Sequence, residues 1–169
     1  GWWACDYDGR LYRILELYGC MPHEADAGVR QTPDEIFLKI AEIERDHPWL
    51  AGRHIYGVAD PAIWDASRGI SIAEVGEKYG IYFDRGDNKR IPGWMQFHYR
   101  LSFDENGIPM VYIFKNCRDF IRTVPLLSYS RTLCEDIDTA LEDHIADESR
   151  YLFMSRPIPP RKGCARSRR

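Results

Sequence analysis

Short apolar runs alternate along this chain with helix-start signals, and few folds accommodate that order. Residues 1–19, GWWACDYDGRLYRILELYG, set two strand-like stretches, Trp2 to Cys5 and Leu11 to Leu15, on either side of Asp8-Gly9. Asp-Gly between such runs is a tight-turn signal, because glycine takes the positive φ a short hairpin loop requires. TPDE at 32–35 then opens a helix: Thr32 caps it, Pro33 suits the first helical position and Glu35 completes a capping box. Ile36, Ile40 and Ile43 form its apolar stripe, and Pro48 ends it. HIYGVA at 54–59 reads as a buried strand running into Asp60-Pro61, and SIAE at 71–74 is a second capping box. IYFD at 81–84 is a further strand, RIPGWMQFHYRL at 90–101 a helix and PMVYIF at 109–114 a strand. Asn116 is a candidate cap for a helix over 117–123, and a last helix is predicted over 137–154, with Ile137, Leu141, Ile145 and Leu152 inward. This alternation predicts an α/β fold, a sheet covered by helices, which the leading hairpin makes mixed rather than purely parallel.

Acidic residues are the chemistry-bearing feature. Asp60 ends an apolar run, which puts a carboxylate at the C-terminal end of a strand, where open α/β sheets gather ligands. Capping the following turn is the alternative use of Asp-Pro. Residues 135–148 hold seven acids and no base. Helical spacing places Asp143 and Asp147 on one face, with His144 beside them. Such a like-charge pair costs a few tenths of a kcal/mol when exposed and more when buried. A divalent cation would reverse that sign, and carboxylates suit magnesium or manganese. The alternative is a solvated acidic face softened by Arg150.

The net charge is −3, unevenly spread. From Arg156 onward there are six bases and no acid, which leaves 17 bases against 26 acids, a balance of −9, in residues 1–155. The segment 156–169, RPIPPRKGCARSRR, reads as an extended, disordered basic tail suited to solubility or to an acidic partner. Arg53, Arg68, Arg85, Lys89 and Arg90, with Trp64, Trp94 and Tyr99, are candidates to follow a nucleic-acid backbone. The five cysteines, Cys5, Cys20, Cys117, Cys134 and Cys164, form no C-x-x-C pair, which argues against structural zinc and for reduced, buried thiols in a cytoplasmic setting. No apolar run approaches a membrane span and no signal-like start is present. A phosphate-binding G-x-x-x-x-G-K-[ST] loop and a G-x-S-x-G elbow are both missing. Glu135 and Asp136 beside Cys134 disfavour a thiolate nucleophile.

Taken in order, GVADPAIWD, RGISIAEVGEKYGI, DNKRIPGWMQFHYRL, GIPMVYIFKNC, IRTVPLL, EDIDT and EDHIADESRY resemble the C-terminal nuclease domain of phage terminase large subunits, the motors that package and cut viral DNA. The likeness runs over residues 1–155, and its most specific part is the pairing of D-P-x-I-W with E-D-H-x-x-D-E-x-R-Y. It implies an RNase H-like fold, a mixed sheet flanked by helices, and a metal-dependent endonuclease that cuts concatemeric double-stranded DNA. Two Mg²⁺ or Mn²⁺ ions, ~3.5–4 Å apart, would activate water and stabilise the leaving oxygen. By resemblance Asp60 is the carboxylate of the central strand and Asp147 that of the late helix, with Asp143 and His144 as auxiliary metal-side positions. DNA contacts are expected from Lys89, Arg90, Arg161 and Lys162. A portal protein and a small terminase subunit are the implied partners, and the bacterial cytoplasm the implied location.

One element of the family pattern has no counterpart. The family carries a further aspartate on a first strand, in a D-W-G-like segment ahead of the stretch matching GWWACDYDG. Asp6 and Asp8, in the hairpin turn, are poor substitutes. An ATPase domain is not matched either, and Gly1 followed by Trp2-Trp3 reads as the start of an excised piece. The resemblance therefore implies an N-terminally truncated nuclease domain with reduced or no activity and an unpaired sheet edge. The alternative function is a non-catalytic module that docks DNA or the portal through its basic tail. A resolvase or transposase core ranks third, disfavoured by D-P-x-I-W and R-I-P-G-W.

Overall fold

A computed structural model describes residues 1–19, 28–67 and 69–160. The hairpin forms as expected: β1 (Trp2–Cys5) and β2 (Leu11–Leu15) are antiparallel, with Gly9 at φ 80° in the turn. Helix α1 (Pro33–Asp46) starts with the Thr32–Glu35 capping box, and α2 (Ile72–Lys78) with the Ser71–Glu74 box. The remaining elements are β3 (Gly57–Ala59), β4 (Phe83–Arg85), α3 (Arg90–Leu101), β5 (Val111–Ile113), α4 (Arg118–Thr123) and α5 (His144–Ser155), with 3-10 turns at Pro61–Trp64 and Val124–Leu126. The class is mixed α/β, with five α-helices among the described residues. No described helix is long and apolar enough to cross a membrane.

Among the described residues the strands do not make one sheet. β1, β2 and β5 form one ladder, in which β5 is parallel to β2; β3 and β4 form a second, parallel ladder. Predicted strands 54–59 and 81–84 shrink to three residues each, and β3 is only half-buried. The late helix is also shorter than predicted. It begins at His144, because the aspartates before it bind other groups: Asp138 accepts the Ala140 amide at 3.0 Å, closing a local turn, and Asp136 accepts the Ile137 amide at 2.8 Å. Short acidic side chains compete with helix in this way. Asn116 does not cap α4; its amide donates to the Ile14 carbonyl at 2.9 Å. Glu16 takes that role from a distance in sequence, accepting the Asp119 amide at 2.7 Å. The apolar face of α1 is rotated from the expected one: Phe37 is its buried residue, while Ile36, Ile40 and Ile43 are half-buried.

Residues alternate across the first ladder. Leu11 joins Trp94, Phe97, Val111, Phe120, Ile145 and Phe153 on the side of α3, α4 and α5. Trp2 and Ile14 face the other side, with Leu50 and the half-buried Ile40 and Ile43 of α1. Phe37, Val75 and Ile81 form a third cluster beneath β4. Arg13, on the α5 side, is buried; it donates to Glu148 at 2.6 Å and lies over the Trp3 and Phe120 rings. The segment after α5 does not leave the body at once: Gln96 pairs with the backbone of Ile158 at 2.9 and 3.2 Å, and buried Arg100 donates to the Arg156 carbonyl. Burial pulls the Arg100 guanidinium down to about 10. Of the three described cysteines, Cys117 is buried, with its thiol pushed up by burial, while Cys5 and Cys134 are exposed. The expectation of buried thiols holds for Cys117 alone; Cys20, Cys164 and Arg68 lie outside the described residues, as does the basic tail beyond 160.

Helices α3 and α5 meet at Gly93. A Cβ there would lie 2.4 Å from Cγ of Arg150, so only glycine admits the Arg150 stem at this crossing. Gly93→Val should therefore cost about 1–3 kcal/mol by overpacking, read as a lower urea midpoint with unchanged slope. An unshifted midpoint would mean that the crossing is loose.

Candidate functional site

Asp60 lies just past β3, as its place before proline predicts. Its Oδ1 accepts the Ala62 amide at 2.7 Å and so caps the 3-10 turn. Its other oxygen accepts the Tyr151 hydroxyl from α5. Asp60 thus caps the turn and also faces the late helix. Burial and this bond to a carboxylate both hold the Tyr151 phenol above its ordinary pKa. Gly86 makes the approach feasible: its amide donates to the Ala59 carbonyl at 2.8 Å, and a Cβ there would meet the Tyr151 ring at 2.5 Å.

Asp147 lies four residues before Tyr151, one turn of about 5.4 Å along the same helix face. Asp60 and Asp147 therefore both address one stretch of α5. Asp147 is not free for a ligand. Arg90 donates to its two oxygens at 3.2 and 3.1 Å, and Arg150 to one of them at 3.0 Å. Arg150 is buried, with its guanidinium over the rings of Trp94 and Tyr151.

The positive charge that the acidic run calls for is a side chain. Arg90, the first residue of α3, donates to Asp136 at 2.9 and 3.1 Å as well as to Asp147, and lies 3.8 Å from Asp143. Trp94, one turn further along, donates to Asp136 at 2.6 Å. Burial opposes ionisation of Asp136, but the bonds from Arg90, Trp94 and the Ile137 amide overcome it and hold the carboxyl below its ordinary range. Asp143 is shifted the other way: burial, then repulsion from Asp147, raises its pKa. Asp143 precedes α5 and makes no side-chain cap bond. His144 is exposed at the helix start, and Lys89 projects to solvent, 3.5 Å from Asp87. Arg90 is turned toward aspartates, not outward as a DNA contact would be. Arg161 and Lys162 lie outside the described residues.

The donor types suit magnesium or manganese, but their placement does not form a cage. Each oxygen of Asp60 and of Asp147 already accepts a hydrogen bond. Among the described residues no three His, Cys, Asp or Glu side chains come together to hold an ion. Compared with protein-family models, curated proteins and solved structures, the chain matches none.

Arg90 and its partners were not legible as a unit. Asp136 and Asp147 lie 46 and 57 residues from Arg90, beyond any local spacing rule. Tyr151 was visible only as part of the E-D-H-x-x-D-E-x-R-Y run.

Two outcomes check this charge arrangement. Arg90→Gln leaves three aspartates without their shared counter-ion and should cost about 2 kcal/mol; loss of one partner of a buried pair costs about 3–5, and Arg90 is 28% exposed. Urea unfolding at pH 7 measures it. For Asp143, a folded pKa raised above the unfolded one means that its ionised form opposes folding. The stability is full below the ordinary carboxylate pKa and is lost as pH rises through the folded value. Asp143→Asn should therefore raise Tm over wild type at pH 7 and leave it unchanged at pH 3, as followed by circular dichroism.

Proposed function

We propose that this chain is a DNA-cleaving domain of RNase H-like type, akin to the nuclease part of a phage terminase large subunit, with Asp60 and Asp147 as its reactive carboxylates. The observation that carries the reading is the Tyr151–Asp60 hydrogen bond, which brings the end of β3 against the acidic face of α5. Two carboxylates 87 positions apart in sequence thereby meet one helix face, as the resemblance requires. The order of motifs supports it further. In this reading Tyr151 and Arg150 orient the two aspartates, and Asp143 and His144 flank them. Arg90 must release Asp147 before that carboxylate can serve a reaction.

Plasmid nicking with Mn²⁺ or Mg²⁺ tests the reading. Asp60→Asn and Asp147→Asn should each lower the nicking rate by about a hundredfold or more, the scale on which removing one positioned group acts. Variants that nick as fast as wild type would remove these residues from the assignment.

The second reading is a non-catalytic docking module for DNA or a portal ring. It is favoured by one specific feature: two arginines hold Asp147 in internal ion pairs. In that case DNA binding is salt-sensitive without cleavage, and removal of residues 161–169 flattens the dependence of log K on log salt.

A further inference from the structure

The aspartates around Arg90 do not form a cation cage, and their hydrogen bonds show why. Two of the carboxylates divide their oxygens between fixed donors and this arginine. Asp136 Oδ1 also accepts from Trp94 at 2.6 Å and from the Ile137 amide at 2.8 Å. Its Oδ2 accepts from Arg90 alone among the described residues, at 2.9 Å. Asp147 Oδ1 also accepts from Arg150 at 3.0 Å, whereas its Oδ2 accepts from Arg90 alone among the described residues, at 3.1 Å. Asp143 Oδ2 stands 3.8 Å from Arg90, beyond hydrogen-bond reach. Other donors thus keep Asp136 and Asp147 in place, and one oxygen of each of the three aspartates faces a single guanidinium.

Arg90 is the replaceable part of this arrangement. It is the first residue of α3, where the helix dipole repels a cation, and that helix start has no side-chain cap bond. Its Nη2 is buried without a hydrogen-bond partner among the described residues. Its side chain is 28% exposed, against 2% for Arg150, so Arg90 has a path to water and Arg150 has none. With all three aspartates ionised, the two guanidinium groups leave one negative charge over. A divalent ion in the place of Arg90 would leave none.

We propose that Arg90 is an autoinhibitory latch: its guanidinium fills the acidic run as an internal cation and keeps divalent ions out until it swings away. Ion and guanidinium seek the same three oxygens, so one must leave for the other to bind. The latch regulates the Asp147 of the nuclease reading and rests on that reading, but the competition itself is measured without DNA.

Titration calorimetry of the whole chain with MnCl₂ tests it. Arg90→Gln should bind Mn²⁺ about tenfold more tightly than wild type or better, the scale of one charge-assisted hydrogen bond lost to the competitor. Mn²⁺ at ten times that Kd should raise the Tm of Arg90→Gln and leave that of wild type almost unmoved. Adding Asp143→Asn to Arg90→Gln should remove the gain, which separates this site from ion binding elsewhere on an acidic chain. Arg90→Lys, a point charge without the planar fork, should show a smaller gain in the same direction, and it decides the matter if Arg90→Gln fails to fold. Equal Mn²⁺ affinity in wild type and variants, no binding to any of them, or a gain that survives Asp143→Asn would each overturn the latch. Arg90→Gln that gains the ion yet leaves plasmid intact would uphold the latch and count against the nuclease reading.

Discussion

The position of α5 rests on one buried side chain. Arg150 lays its stem against Gly93, sets its guanidinium over Trp94 and Tyr151, and bonds Asp147. An arginine so far from water is tolerated only with a carboxylate and aromatic faces to meet it. Rotation of α5 about its axis would break all of these contacts at once. The helix is thereby locked in the register that sends Tyr151 to Asp60 and Glu148 to Arg13. Both ladders are tied to it, one through each of these bonds.

Electrostatics around this helix is balanced internally. Seven acids in fourteen residues would repel, yet three of them surround Arg90. The balance is incomplete at Asp143, whose ionisation remains opposed by burial and by Asp147. Such unrelieved charge is common at sites that bind or react, and ion-pair networks that only hold structure perturb carboxylates as well. The same arginine explains why the acidic run is not a cation cage as it stands: the cation is supplied by α3.

The strands divide into two ladders among the described residues. β3 and β4 have three residues each and pair with one another. Their partner ladder keeps the longer strands and most of the core. What joins the halves is helix packing, not backbone pairing. A sheet interrupted in this way retains edge groups that folded chains usually pair or cover.

Most local features match the sequence reading; the exception is the acid run at 135–143, which local bonds to Asp136 and Asp138 keep out of the helix. The Asp8-Gly9 turn, both capping boxes, the proline that ends α1 and the placement of Asp60 at a strand end all depend on residues within a few positions of one another. Signals that need a distant partner were misread. Asn116 gave way to Glu16 as the cap of α4, and five strands became two ladders. The sequence by itself determined the mixed α/β class, the order of elements and which segments carry carboxylates. Only the tertiary structure decided that Arg90 is the counter-ion of Asp136, Asp143 and Asp147, and that Tyr151 meets Asp60. Those contacts span 46 to 91 positions. They arise from helix packing at Gly93 and Gly86, where the missing side chain matters only once the elements touch.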